Sequence, residues 1–550
     1  MQLSGAQIVL ECLKEQETKT VFGYPGGAVI PLYDALYDEM EYFDHFRTAH
    51  EQAAVHAADA YARTTGEVGV AFVTSGPGAT NTVTGIATAY MDSVPIVVIS
   101  GQVPSVLLGK DSFQEMDITG ITLPITKHNF LVRDLEDLAD TVRRAFDIAR
   151  SGRPGPVLID IPKDIFIKKT AFKSVVIPER EMVDTKPQTS EIEKAVELIN
   201  SAEKPVIYAG GGVLIAEASE ALKQFSKKGQ IPVVNTLMGL SNYPRKSDLS
   251  LGLVGMHGFK EANLAVTKSD LVIAIGARFS DRVTGKVDAF APKAKVIHLD
   301  VDVTEIGKNL NVDVSILGDL NTLLTSLTSK METCDRKTWL SEIKSYEVED
   351  KFDDEFVPEK ILPLINKYAS DNSIVATDVG QHQMWTAQYW PFAKPRTFVT
   401  SGGLGTMGFG LGAAIGAQVA NPDRPVVLVT GDGSFRMNCN EMSTVSYYNI
   451  PILVVLFNNQ TLGMVRQWQK LFQNKRYAET CIDQNVNYVK LAEAFGIKSF
   501  KVDTYDELEA ALKNDAVFKE PVFIEVTIDK DHNVIPIVPP GMPIDELILE

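Results

Sequence analysis

Val429-Thr430-Gly431-Asp432-Gly433-Ser434 closes an apolar run of strand type and opens a helical pattern. Glycines on both sides of an acidic residue let the backbone turn sharply, with helix N–H groups free to face an anion. An echo stands in the first third of the chain. Val73-Thr74-Ser75-Gly76-Pro77-Gly78 leads through a helical stretch to Val94-Pro95-Ile96-Val97-Val98, as the later copy leads to Ile450-Pro451-Ile452-Leu453-Val454. Thr74 to Pro95 and Thr430 to Pro451 are both 21 residues apart. Each copy reads as strand, Gly-rich turn, helix and strand, the unit in which ligands sit at strand C-termini and helix N-termini. Chance likeness between two βαβ units is the alternative. Only the second copy puts an acid, Asp432, at the turn.

Working outward, Val/Ile-rich runs at 68–74, 95–100, 157–161, 205–209, 271–275, 296–299, 426–430 and 451–457 alternate with helix-length segments. Such runs imply buried parallel strands joined by helices. The expected class is α/β, with three doubly wound domains of mostly parallel sheets. Charged breaks at 167–188 and 342–359 read as linkers, giving blocks 1–170, 189–335 and 356–550.

Composition bounds the function. The chain has 550 residues, enough for three or four domains. With 53 Lys+Arg against 71 Asp+Glu the net charge is −18, which argues against nucleic acid as a partner. Hydrophobic content of 45% and charged content of 23% suit compact domains. Cys12, Cys334, Cys439 and Cys481 form no CxxC pair, and the N-terminus reads as no signal peptide, so a cytoplasmic location is expected. The longest uncharged stretch, 397–422, carries seven glycines and reads as a Gly-rich turn and buried helix, not as a membrane span.

A GDG taken singly is as consistent with a solvated turn as with a site. Asn459, in Asn458-Asn459, stands 27 residues after Asp432 at the end of the next strand. Asp432, Asn459 and a backbone carbonyl such as that of Thr461 would form a hard oxygen site for Mg²⁺, with diphosphate oxygens completing the shell.

That pair resembles the thiamin-diphosphate motif, GDG followed by NN. With Tyr24-Pro25-Gly26-Gly27, His50-Glu51-Gln52-Ala53-Ala54, Gly101-Gln102-Val103-Pro104, Phe113-Gln114-Glu115, Gly255-Met256-His257-Gly258 and Met464-Val465-Arg466-Gln467-Trp468-Gln469, the whole chain resembles the large catalytic subunits of the acetohydroxyacid (acetolactate) synthase family. The resemblance implies an N-terminal pyrimidine-binding domain, a central Rossmann-like domain and a C-terminal diphosphate-binding domain. It implies decarboxylation of pyruvate and transfer of the two-carbon remainder to pyruvate or 2-ketobutyrate, in branched-chain amino acid biosynthesis.

By the same resemblance, Glu51 bonds the cofactor's pyrimidine nitrogen, and Gln114 and Gly27 lie near the reacting carbon. Met407, the Gly405 carbonyl and the Met464 amide support the pyrimidine. Gly431, Asp432, Gly433, Ser434, Gly380, Gln381 and His382 hold the diphosphate. Arg282, Trp468 and Lys163 are expected at the substrate, Arg282 on the acceptor's carboxylate and Trp468 beside its alkyl group. Because Glu51 and the metal motif sit in different blocks, the resemblance implies a site shared between subunits of a homodimer or homotetramer. A small regulatory subunit is likewise implied only by resemblance.

The middle block carries Tyr208-Ala209-Gly210-Gly211-Gly212-Val213, which is not GxGxxG and is weak as a dinucleotide fingerprint. Its family counterpart nevertheless binds FAD, which the resemblance extends to Gly210, Gly211, Gly212, Met256, His257, Gly276, Arg278, Asp300 and Asp319. A flavin-dependent pyruvate oxidase and a non-catalytic nucleotide-binding relative are the competing readings. The second predicts missing ligands, yet Glu51, Asp432 and Asn459 are all present.

Overall fold

The computed structural model describes residues 2–177, 189–348, 355–482 and 485–550. Residues 178–188 and 349–354, within the two expected linkers, lie outside the described residues. All eight Val/Ile runs form strands, buried because parallel strands carry helices on both faces. Each fully buried Val or Ile contributes about 1.5–3 kcal/mol through burial.

The strands form three six-stranded parallel sheets, plus an antiparallel pair of Gln2–Ser4 with Lys169–Ala171. The first sheet runs Asp44–Arg47, Thr20–Gly23, Gly69–Val73, Ile96–Gln102, Val157–Pro162, His128–Leu131. The third runs Phe398–Val399, Ile374–Thr377, Val426–Gly431, Ile452–Asn458, Val522–Thr527, Lys498–Val502. Numbered within each sheet by chain order, both read 2-1-3-4-6-5. The repeat seen in the two turns is therefore a repeat of topology. The central sheet has a different order: Ser250–Leu253, Val233–Asn235, Pro205–Ala209, Leu271–Ile275, Lys295–Asp300, Val314–Leu317. That is 3-2-1-4-5-6, the Rossmann order, whose direction reverses between Pro205–Ala209 and Leu271–Ile275.

The Gly-rich stretch does supply a buried helix, Gly410–Ala420, and its glycines have a packing cause. It crosses helix Glu51–Thr65 of the first domain so closely that a Cβ on Gly416 would lie 2.0 Å from the Ala57 carbonyl oxygen. A Cβ on Gly412 would lie 3.0 Å from that of Ala53. Small residues on both faces permit this backbone approach, so the contact clamps the first domain to the third. Among the described residues no helix is long and apolar enough to cross a membrane.

Candidate functional site

Strand Val426–Gly431 delivers Asp432 to the first position of helix Asp432–Asn438, and strand Ile452–Asn458 delivers Asn459 to the same sheet edge. They line one cavity with Gly380, Gln381, His382, Met407, Gly431, Gly433, Ser434, Thr461 and Met464. Asp432 is 2% exposed. Its Oδ1 accepts the Gly433 N–H at 3.0 Å, whereas Oδ2 is buried without a partner. Burial pushes the carboxyl up to about 7. A partnerless carboxylate oxygen is costly to bury, and a divalent cation beside it offsets that cost. Asn459 Oδ1 accepts the Thr461 N–H at 3.2 Å, and its Nδ2 donates to Gln381 Oε1 at 3.2 Å. Among the described residues no cluster of three His, Cys, Asp or Glu forms a cation site. One carboxylate with amide and carbonyl oxygens suits Mg²⁺ that shares phosphate oxygens, and the residues fit that role.

The adjoining wall is built by Gly380, Gln381 and His382. Gln381 Nε2 donates to Gln467 Oε1 at 2.9 Å and to the His532 carbonyl at 3.0 Å. A Cβ on Gly463 would sit 2.0 Å from Gln381 Oε1, so a side chain at the start of helix Gly463–Phe472 would displace Gln381 from these bonds. Burial lowers His382 to about 3, leaving a neutral ring whose Nε2 has no partner. A Cβ on Gly431 would meet His382 Nδ1 at 2.8 Å. Ser434 Oγ donates to the Val379 carbonyl at 2.9 Å, tying the helix start to the same wall.

The residues expected from the first block gather at its own sheet edge. Glu51 opens helix Glu51–Thr65, and its Oε2 accepts Asn81 Nδ2 at 2.9 Å. A Cβ on Gly78 would stand 3.3 Å from Glu51 Oε1 and 2.7 Å from Thr74 Cγ2. Thr74 Oγ1 accepts the Ala28 N–H at 3.2 Å, fixing the turn that holds Gly27. Gln114 (φ 61) backs onto Gly76, and Lys163 opens the short helix after strand Val157–Pro162. Every cavity-lining residue comes from the third domain, so within one chain Glu51 and Asp432 belong to two separate edges.

Arg282 and Trp468, from the central and third domains, are brought together. The guanidinium lies 5.8 Å from the indole ring centre, and Nη1 reaches Met256 Sδ at 3.9 Å.

Three thiamine pyrophosphate enzyme models match the sequence: the N-terminal TPP binding domain over residues 3–121, the central domain over 192–327 and the C-terminal TPP binding domain over 378–526. The chain is 47% identical to the probable acetolactate synthase large subunit of Methanocaldococcus jannaschii, across 98% of this chain and 94% of that protein. It is 46% identical to the acetolactate synthase isozyme 2 large subunit of Escherichia coli K12, across 99% of both. With the Haemophilus influenzae acetolactate synthase large subunit it shares 43% identity, across 100% of this chain and 98% of that protein. The chain belongs to the acetolactate synthase large-subunit family. It is a thiamine-pyrophosphate enzyme of α/β fold.

In this family member the central glycines lie at the topological switch point, where open α/β sheets bind nucleotides. Gly210 and Gly212 follow strand Pro205–Ala209, and Gly276 (φ +53) follows Leu271–Ile275. A Cβ on Gly210 would lie 2.2 Å from the Gly276 carbonyl oxygen, and one on Gly212 would lie 2.7 Å from Gly276 Cα. Gly211 packs on Met238, and the Arg278 carbonyl accepts the Tyr208 hydroxyl at 3.1 Å. His257 is buried, lowered to about 4, and its Nδ1 lacks a partner. Asp300 ends the next strand and accepts the Asp302 N–H at 2.9 Å. Asp319 caps helix Leu320–Lys330 by accepting the Thr322 N–H at 2.8 Å. The tight turns and the orphaned histidine nitrogen fit a dinucleotide, while Asp319 is already engaged as a helix cap.

Sequence reasoning missed Trp385, Leu462, Gly463 and Val465 in the cavity wall, and Asp378 behind it. Buried Asp378 accepts the Gly410 N–H at 2.9 Å and the Thr430 hydroxyl at 2.7 Å, bracing the strand before the turn. The signal available was Gly463, four residues beyond Asn459 at a helix start.

Proposed function

We propose that the chain decarboxylates pyruvate and joins the two-carbon remainder to a second 2-ketoacid. With pyruvate the product is 2-acetolactate, and with 2-ketobutyrate it is 2-aceto-2-hydroxybutyrate, both precursors of branched-chain amino acids. The names of the relatives support this reading. The observation that carries it is the partnerless buried Oδ2 of Asp432 in a cavity shared with Asn459, Met407 and Met464.

Thiamin diphosphate, when bound, supplies the carbanion stabilisation that side chains cannot. Asp432, Asn459 and the Thr461 carbonyl would hold Mg²⁺ on its diphosphate. The N–H groups of Gly431 to Ser434 and of Gly380 to His382 would receive phosphate oxygens. Met407, the Gly405 carbonyl and the Met464 amide would seat the pyrimidine. Glu51 holds and moves a proton at the pyrimidine ring nitrogen, while Gln114 and Gly27 present donors to the substrate oxygen. Arg282 pairs with the acceptor carboxylate, Trp468 packs on its alkyl group, and Lys163 adds positive charge at the first sheet edge.

Glu51 must reach the cavity from a second copy, so the smallest complete unit is a homodimer, or a homotetramer built from it. The division of labour is 1–170 for the pyrimidine, 189–335 for FAD and 356–550 for diphosphate and Mg²⁺. Gly210, Gly211, Gly212, Met256, His257, Gly276, Arg278 and Asp300 would hold FAD, with Asp319 beside them although its Oδ1 caps a helix. The term "large subunit" in the relatives' names supports a small regulatory partner. The four free cysteines support a cytoplasmic location.

Incubation with pyruvate, thiamin diphosphate and Mg²⁺ tests the reading. Acetolactate is the expected product. Acetaldehyde alone, or oxygen consumed in step with pyruvate, contradicts it.

A further inference from the structure

Residues 400–409 run as a loop between strand Phe398–Val399 and helix Gly410–Ala420, and Met407 from this loop lines the cavity with Asp432 and Asn459. Gly402, Gly403, Gly405 and Gly408 make the loop pliable, and the third domain holds it at its two ends, Gln383 at Thr400 and Ser401 and Asn438 at the Gly408 carbonyl. The first domain of the same chain grips it.

Arg63, near the end of helix Glu51–Thr65, sits between the carboxylates of Asp59 and Asp92, both with fully buried side chains. Its Nη2 lies 2.9 Å from Asp92 Oδ2, and its Nη1 donates to the Thr400 carbonyl at 3.0 Å. Asp92 ends helix Val83–Asp92 and turns its carboxylate onto the loop backbone. The Gly403 N–H donates to Oδ1 at 2.7 Å and the Gly402 N–H to Oδ2 at 3.1 Å. One turn earlier, the Thr88 hydroxyl lies 2.7 Å from that of Thr406, and both residues are buried. Thr406 immediately precedes Met407. A buried ionic cluster is weak evidence for stability but can fix one conformation, and here every remaining bond goes to a single loop.

We infer that Arg63, Asp92 and Thr88 are positioning residues for the cofactor: by fixing residues 400–406 they set where Met407 and the Gly405 carbonyl meet its pyrimidine end. This rests on the proposed role of Met407. Arg63 also belongs to the helix that begins at Glu51. One helix thus presents the carboxylate destined for a partner's site at its start and braces its own chain's cavity at its end.

The test measures thiamin diphosphate binding with Mg²⁺ by calorimetry, without substrate, together with the near-ultraviolet circular dichroism of the bound cofactor. Asp92→Asn leaves Arg63 short of a buried partner and can prevent folding, so Thr88→Val carries the test. Thr88→Val is expected to weaken binding about five- to tenfold, the worth of one buried hydrogen bond, and to alter the dichroism. The melting midpoint of the cofactor-free protein should stay within about 2 °C of the parent. Thr88→Ser, which keeps the hydroxyl, should restore both binding readouts. Met407→Ala is the reference variant. Weakened binding by Met407→Ala with unchanged binding by Thr88→Val overturns the positioning role alone. Unchanged binding by Met407→Ala overturns the role of Met407 and this inference with it.

Discussion

The Arg282 guanidinium lies 5.8 Å from the centre of the Trp468 ring, joining the central domain to helix Gly463–Phe472 of the third. Its ion pair with Asp281, at 3.8 Å, is long and solvent-exposed, the Arg282 side chain being 63% exposed, so a ligand carboxylate can compete for the guanidinium. A cation beside a flat apolar wall matches a 2-ketoacid, which has a carboxylate at one end and an alkyl group at the other.

Two substitutions separate these contributions. Arg282→Ala should lower kcat/KM for the acceptor by about 10- to 100-fold, the worth of a charge-assisted hydrogen bond. Trp468→Leu should leave turnover with pyruvate nearly intact. It should erase most of the preference for 2-ketobutyrate, since one methylene in an apolar pocket is worth about 1–3 kcal/mol. Competition between the two 2-ketoacids, with products quantified by chromatography, reads both effects.

Asp432 carries the metal prediction. Asp432→Asn removes the charge of the carboxylate whose Oδ2 is partnerless while keeping the size of the side chain. Thiamin diphosphate should then bind at least about 100-fold more weakly, and added Mg²⁺ should no longer strengthen its binding. Removing Mg²⁺ from the parent with EDTA should reproduce the loss reversibly, as followed by calorimetry.

How far the sequence leads is clear from particular residues. The equal spacing of Thr74–Pro95 and Thr430–Pro451 corresponds to two sheets of the same 2-1-3-4-6-5 order. Edge strands such as Phe398–Val399 are too short to imprint a pattern and were not expected. In Asn458-Asn459 the two amides part ways: Asn458 Nδ2 donates to Glu525 Oε1 at 2.7 Å, and Asn459 lines the cavity. Gly210 and Gly212 make a poor fingerprint because their constraint comes from Gly276, remote in sequence. The Arg63–Asp92 grip is likewise non-local, and nothing in the motif around Glu51 announces it.

Complementation tests the shared site. Glu51→Gln should bind thiamin diphosphate normally yet lose about 10²- to 10⁴-fold in turnover, as expected for a lost proton-transfer group. Mixing it with Asp432→Asn after dissociation and reassembly should restore about one quarter of parental activity, because half the dimers then hold one intact site. No recovery, with exchange verified by mass, would place both residues in one subunit's site.

A pH dependence follows from Asp160. Burial pushes this carboxyl up to about 7, although it accepts Ser100 Oγ at 2.7 Å and Gln102 Nε2 at 2.9 Å. Folding raises its affinity for a proton, so its contribution is full below about pH 4 and is lost as pH rises to about 7. The stability of the parent relative to Asp160→Asn should therefore fall across that window by up to about 4 kcal/mol and level off above it. Denaturant unfolding of both proteins at a series of pH values measures the difference. Gln102 also donates to the Met116 carbonyl at 2.8 Å, so loosening above pH 7 would reach the loop holding Gln114.

The most direct measurement is the fate of ¹³C-labelled pyruvate mixed with unlabelled 2-ketobutyrate, thiamin diphosphate and Mg²⁺, followed by NMR. The account predicts label in the two-carbon unit of 2-aceto-2-hydroxybutyrate, in excess over labelled 2-acetolactate. Labelled acetaldehyde or acetate as the end product, with no new carbon–carbon bond, would contradict it.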